Sequence, residues 1–199
     1  MKIKNPELVS ELRKVIETSP FYRSANYSIN WAFQNIFSSL REYRVDLLDQ
    51  TELTDEEFLN AITPEFQREN TKWSLQQQIR FIENILAGYK SSILFYSIGE
   101  ERWESTDCVW LLDGLQRSTS VLDFQQNKFP VFGKFFYKDI ISRKAFLDVR
   151  LTMEVYQFAT EEEACMHYID MNRGITHSPE DLESAYLFLE KRGINYREV

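Results

Sequence analysis

Cysteine, histidine, glycine and proline are all scarce in this 199-residue chain, at two, two, six and five residues. Cys108 and Cys165 lie far apart and fit no Cys-x-x-Cys or Cys/His spacing. That excludes a zinc ligand set or disulfide framework and leaves two small, reduced core residues. With so little glycine and proline, and no repeat or low-complexity segment, a linker-rich chain is excluded too. Positive charge is in deficit: 23 Lys and Arg stand against 31 Asp and Glu, a net charge of −8. Broad wrapping of nucleic acid is therefore disfavoured, because phosphate-backbone affinity comes from Lys and Arg displacing counterions. A DNA partner would have to be met through a local basic groove. No apolar run approaches the length of a membrane span, and Met1-Lys-Ile-Lys-Asn-Pro6 carries no apolar signal region, so a soluble, cytoplasmic protein without a membrane partner is expected.

What the chain does have is hydrophobic content of 43% and aromatic content of 15%. At this length that suffices for one good core, a single compact unit with elaborations. Its most telling stretch is Val109-Trp-Leu-Leu-Asp113-Gly114-Leu115-Gln116-Arg117-Ser118-Thr119. A compact apolar run breaks at Asp-Gly and passes at once into a helical pattern, so it reads as a buried strand turning into a helix N-terminus. Unpaired N–H groups of a first helical turn and the helix dipole make such a junction attractive to anions, and Gly114 permits close approach. Arg117 can grip phosphate oxygens through two N–H groups, and Ser118 and Thr119 add hydroxyl donors. Asp113 is placed to hold a metal ion or polarise a nucleophile. Read alone, the same residues are better described as a plain turn followed by a surface ion pair.

Along the chain, Pro6 to Thr18 predicts one amphipathic helix, and Ser28 to about Tyr43 a second, with Ile29, Phe33, Ile36, Phe37 and Leu40 on one face. Tyr22, Tyr27, Trp31, Phe33 and Phe37 could offer bases a stacking platform, but an aromatic stripe at this spacing is read as core. Thr54 with Glu57 forms a capping box that starts a short helix. Residues 1–60 thus read as a helical N-terminal extension, and residues 61–199 as the core with C-terminal helices.

Pro64 to Trp73 has no periodicity and reads as loop, carrying Gln67, Arg68 and Glu69 up to a helix capped by Ser74 and ended by Gly88. Taken by themselves, Arg68 and Glu69 form an exposed ion pair worth little. Ser92 to Ile98 and Val109 to Leu112 read as strands, Phe129 to Tyr137 as extended, and Leu147 to Val155 as a period-two strand. Thr160 with Glu163 caps a helix that Asn172-Arg173-Gly174 ends, and Ser178 caps the last helix with Pro179 in its first turn. The fold class is α+β.

Three segments carry a resemblance. Asp113-Gly-Leu-Gln-Arg117 resembles the Asp-Gly-Gln-Gln-Arg signature of the N-terminal domains of GmrSD-type modification-dependent restriction enzymes, within the ParB/sulfiredoxin-like superfamily. Pro64-Glu-Phe-Gln67-Arg68-Glu69-Asn-Thr-Lys-Trp73-Ser74 is similar to the family's Gln-Arg-Glu-Tyr-x-Trp-Ser element. Asn172-Arg-Gly174-Ile-Thr176-His-Ser178 is similar to its Asn-x-Gly-Thr-x-Leu-Ser element. Three elements in order, over roughly residues 60 to 190, are far more specific than one.

The resemblance implies a ParB/sulfiredoxin-like small mixed sheet flanked by helices, binding a nucleoside triphosphate (ATP, GTP or CTP) with Mg²⁺, in a DNA modification or restriction context. It places Gln67, Arg68 and Glu69 across the nucleotide from the Asp113 turn, with Asn172 and Thr176 bracing the site. Phosphoryl chemistry needs cations on phosphate oxygens, an aligned nucleophile and a carboxylate for metal or proton. Gly114 and Arg117 would supply the first. Gln116 or Gln67 would orient water, and Asp113 or Glu69 would be the carboxylate. NTP hydrolysis comes first among the implied activities. Transfer to an acceptor hydroxyl, such as that of a hydroxymethylated base, comes second, and a nucleotide-gated module binding DNA or a partner protein third. Two departures stand out: Leu115 replaces the signature's glutamine and Asn70 its tyrosine. His167 and His177 form no His-Asn-His motif, which disfavours a nuclease acting alone.

Overall fold

In the computed structural model, residues 8, 11–12, 14, 25, 27–42, 53–67, 73–99, 109–140, 149–173 and 179–197 are described. Four strands, β1 (Tyr27–Ala32), β2 (Ser92–Ile98), β3 (Trp110–Asp113) and β4 (Arg150–Phe158), form one mixed sheet in the order β1-β4-β2-β3. The central pair β2/β4 is parallel, with Ser92 opposite Thr152 and Ile98 opposite Phe158. Both outer pairs are antiparallel. Seven α-helices are described: α1 (Ile36–Glu42), α2 (Asp55–Ala61), α3 (Leu75–Leu86), α4 (Leu115–Gln125), α5 (Tyr137–Ile140), α6 (Glu161–Asn172) and α7 (Glu183–Lys191). The α+β class, a small mixed sheet flanked by helices, is as expected.

Strand β4 shows why the sheet divides the interior in two. Leu151, Met153 and Val155 alternate with Thr152, Glu154 and Tyr156, so one strand serves two faces. The first three join Ile93, Phe95 and Leu111 in a core closed by Ile82 and Ile85 of α3 and Val121, Leu122 and Phe124 of α4. On the other face Tyr96, Leu112 and Phe158 pack against Tyr168 and Ile169 of α6 and Phe188 and Leu189 of α7. Phe66, fully buried there, has ring neighbours Tyr96, Tyr168 and Phe188 at 6.0, 5.7 and 5.4 Å.

Two expectations are corrected. The segment from Ser28 does not begin as a helix: Tyr27–Ala32 is strand β1, followed by a 3-10 turn at Phe33–Asn35 and only then α1. The reason lies in Tyr27, Ile29 and Trp31 alternating with Ser28 and Asn30, a period-two pattern that β4 rewards with a full antiparallel ladder. Residues 27–32 are therefore part of the sheet. Phe33 and Phe37 are buried, and Tyr27 and Trp31 pack against the core. Phe129 to Tyr137 is likewise not a strand. It holds one isolated bridge, Val131 to Phe135, around a tight turn, and then α5.

The capping boxes of Thr54/Glu57 and Ser74/Gln77 are both formed. Thr160 accepts the Glu163 N–H at the start of α6. The last helix enters through a 3-10 turn at Pro179–Leu182, while Ser178 lies outside the described residues. So does most of the Pro6 to Thr18 helix, although Leu8, Glu11, Leu12 and Lys14 are helical. No described helix is long and apolar enough to cross a membrane.

Candidate functional site

The Asp113–Arg117 stretch is the strand-to-helix junction that its sequence predicts. Strand β3 ends at Asp113, Gly114 occupies the N-cap position with φ +110°, and α4 begins at Leu115. A left-handed φ is costly for any residue with a Cβ. Space also demands glycine here: a Cβ on Gly114 would lie 3.1 Å from Ile93 Cγ2 and 3.2 Å from Arg117 Nε. The Arg117 guanidinium is thus folded back across the Gly114 backbone, where it donates to the Asp113 carboxylate. About a quarter of each of these two side chains is exposed, so the pair sits at the solvent boundary. The helix start has no side-chain cap, unlike those of α2, α3 and α6.

The neighbouring residues fall inward. Leu115 and Ser118, three apart, share the buried stripe with Leu122. Ser118 is 1% exposed and its hydroxyl has no partner among the described residues. It therefore lies in the interior, not at the mouth of the turn where a phosphate donor was expected. Thr119 is half-buried. Gln116 is buried; its Oε1 accepts the Trp73 N–H at 3.2 Å, and its Nε2 is without a partner among the described residues.

Gln67 has a structural task. Strand β3 is the sheet edge, and the Ile62–Gln67 segment covers it: Leu111 N–H donates to Ile62 O at 2.8 Å, while Gln67 Nε2 donates to Leu111 O at 3.1 Å and Leu112 O at 2.6 Å. Gln67 and Trp73, on either side of residues 68–72 in the sequence, are both tied to the junction, one through β3 and one through Gln116. Arg68 and Glu69 lie outside the described residues, as does Thr176. Asn172 turns its amide onto its own helix, donating to Tyr168 O at 2.8 Å, and is buried. Trp73 was not among the residues singled out for the site; its pairing with Gln116 is a backbone contact that side-chain chemistry gives no means of finding.

The family model for the GmrSD restriction endonuclease, N-terminal domain, matches residues 45–192. The chain belongs to this family. Comparison with curated proteins and with solved structures finds no match. Membership in the GmrSD N-terminal family sets the protein in a restriction and DNA-related context, and the matched span contains β2, β3, β4 and α2 to α7.

Other features of this GmrSD N-terminal domain are separate from the junction. An open groove of about 720 Å³ lies between the end of α3 and the β1/β4 edge, lined by Ser28, Asn30, Tyr89, Lys90, Arg150 and Thr152 among others, with none of the junction residues. Cys165 is free, buried and donates to Ala185 O, and burial pushes its thiol far above the ordinary range, which suits an inert core residue. The His167 ring lies tilted against those of Tyr156 and Phe158, with centroids 5.2 and 5.4 Å away. Arg173 donates to Tyr186 Oη and to Tyr196 O, and Tyr196 donates to Asp170, fastening the C-terminal turn to α6.

Proposed function

We propose that the protein is a nucleoside triphosphate-binding phosphohydrolase serving DNA restriction or modification, with the start of α4 as its phosphate cradle. The observation that carries this reading is the bare helix start. Gly114 offers no side chain, the first-turn N–H groups of Leu115, Gln116 and Arg117 lack intrahelical acceptors, and a guanidinium lies across the opening. One guanidinium N–H group is engaged by Asp113, which leaves others for phosphate oxygens.

The residues suit a triphosphate tail: a glycine whose missing Cβ leaves room, fixed N–H dipoles, and a cation held by its neighbour. Among the described residues no three metal-ligating side chains gather. Mg²⁺ would therefore rely on Asp113 and the nucleotide's own phosphates, a mode in which one carboxylate suffices. Bound there, the ion would offset charge on the phosphate oxygens. Arg68 and Glu69 follow Gln67 directly in the chain, and Glu69 is the second candidate carboxylate. Asn172 and Thr176 are proposed only as bracing groups.

A second reading, a nucleotide-gated binding module without turnover, is favoured by the engagement of Asp113 with Arg117 and by Leu115 being buried where the signature has a polar residue. Incubation with ATP, GTP and CTP, with and without Mg²⁺ and with plain or hydroxymethylated DNA, separates the readings by the fate of the γ-phosphate. Release into water supports hydrolysis, appearance on DNA indicates transfer, and saturable binding without turnover indicates the module. Under the leading reading Arg117→Ala lowers turnover about 100-fold or more with an unchanged circular dichroism spectrum. Turnover at the wild-type rate in that variant contradicts it.

A further inference from the structure

The turn between α4 and α5 is built against its own residue preferences. Val131 and Phe135 exchange backbone hydrogen bonds of 2.8 and 3.0 Å, and Lys134 N–H closes the turn on Val131 O at 3.1 Å. Both central residues have positive φ, Phe132 at 49° and Gly133 at 74°. Such turns take Asn-Gly, Asp-Gly or Gly-Gly, because those residues reach this region cheaply. A bulky Phe at the first position is an outlier. The strain gains the fold no burial in return: Phe132 is 54% exposed and Phe135 37% exposed. The turn is nonetheless firmly held, with Phe129 and Val131 buried at its root, Glu83 of α3 accepting the Phe132 N–H at 2.6 Å and Asp139 accepting the Phe136 N–H at 3.0 Å.

The lysines around this turn differ in how they are partnered. Lys128, nearby, is shared by Glu56 and Asp123 at 2.5 and 2.8 Å. Lys134 and Lys138 have no carboxylate partner among the described residues. Their ammonium groups lie 4.8 Å from the Phe135 ring centre and 5.7 Å from that of Phe136. Two exposed ammonium groups beside the exposed Phe135 ring and the half-buried Phe136 ring, with Phe132 exposed at the tip and the carboxylates of Glu83 and Asp139 taken up by backbone N–H groups, complement a partner that offers flat π faces and phosphates together. Nucleic acid offers both, and membership of a restriction family favours DNA.

We propose that the Phe132–Phe135 turn is a DNA-contact element in which Phe132 stacks on an exposed or unstacked base while Lys134 and Lys138 take the flanking phosphates. This does not rest on nucleotide binding at α4, and its test contains no NTP. The experiment measures fluorescence anisotropy of a labelled single-stranded oligonucleotide carrying 2-aminopurine, with the full chain and with Phe132→Asn. Asparagine tolerates left-handed φ, so the variant keeps or raises the thermal midpoint. The expected result is at least about tenfold weaker binding and loss of 2-aminopurine quenching. Phe135→Ser, a second exposed site, should weaken binding in the same direction. Lys134→Gln with Lys138→Gln should flatten the salt dependence by about 1.4 in log–log slope, at roughly 0.7 per phosphate contact. The proposal is overturned if wild-type protein does not bind the oligonucleotide, if Phe132→Asn binds it equally well, or if the turn instead mediates binding to anionic vesicles while DNA affinity is unaffected.

Discussion

Ser74 closes the start of α3 with its own side chain, whereas Gly114 leaves the start of α4 with none. At α3, Ser74 Oγ accepts the Gln77 N–H and Gln77 Oε1 accepts the Ser74 N–H at 2.8 Å, so the orphan donors are answered from within. At α4 the N-cap is a left-handed glycine, a guanidinium lies against it, and the adjoining carboxylate holds that cation in place. Both helices pack on the same core and are of similar length, so stability alone gives no reason to treat their ends differently. One start is finished as structure. The other leaves its donors without a side-chain cap and a positive charge at the solvent boundary, the arrangement that an incoming anion completes.

Three changes sharpen or break that contrast. The largest effect is expected from Gly114→Ala, which places a Cβ 3.1 Å from Ile93 and 3.2 Å from Arg117 at φ +110°. Thermal unfolding should show a loss of about 1–3 kcal/mol, and NTP turnover should vanish because the guanidinium is displaced. Wild-type turnover in a folded Gly114→Ala protein would break the contrast. Next, Ser74→Ala should cost about 1 kcal/mol by denaturant titration and leave nucleotide affinity alone. A matching loss of affinity would mean that α3 is part of the site.

The smallest effect concerns acid. Hydrogen bonding from the Thr54 backbone N–H, and then from its hydroxyl, holds the Glu57 carboxyl below its usual range. Its contribution to α2 is therefore complete above the unfolded-state value and is lost as pH falls through the lowered folded value. The difference in thermal midpoint between wild type and Glu57→Gln should shrink in that acidic window. A difference that does not change with pH would remove the carboxylate from the cap.

Much of this was legible beforehand, and for identifiable reasons. The capping boxes at Thr54 and Ser74 were readable because a cap is a local matter of residues three apart. The strand-turn-helix at Asp113 was readable because Asp-Gly interrupts a short apolar run. Strand β1 was hidden because Ile29, Phe33, Ile36, Phe37 and Leu40 also satisfy helical spacing; the choice is made by β4, more than a hundred residues away. The role of Gln67 was hidden for the same kind of reason. Its polar side chain suggested a ligand contact, yet it answers two edge-strand carbonyls, which only the folded sheet reveals. The burial of Ser118 follows from its three-residue spacing to Leu115 on the inward face of α4.

Whether the start of α4 receives a triphosphate tail can be read from amide ¹H–¹⁵N shifts during titration with ATP, GTP or CTP and Mg²⁺. If it does, the Leu115, Gln116 and Arg117 amides move saturably with at least one nucleotide while Leu75, Gln76 and Gln77 stay in place. Unmoved amides at Leu115–Arg117 with every nucleotide, or shifts confined to the groove around Asn30, Lys90 and Thr152, would contradict it.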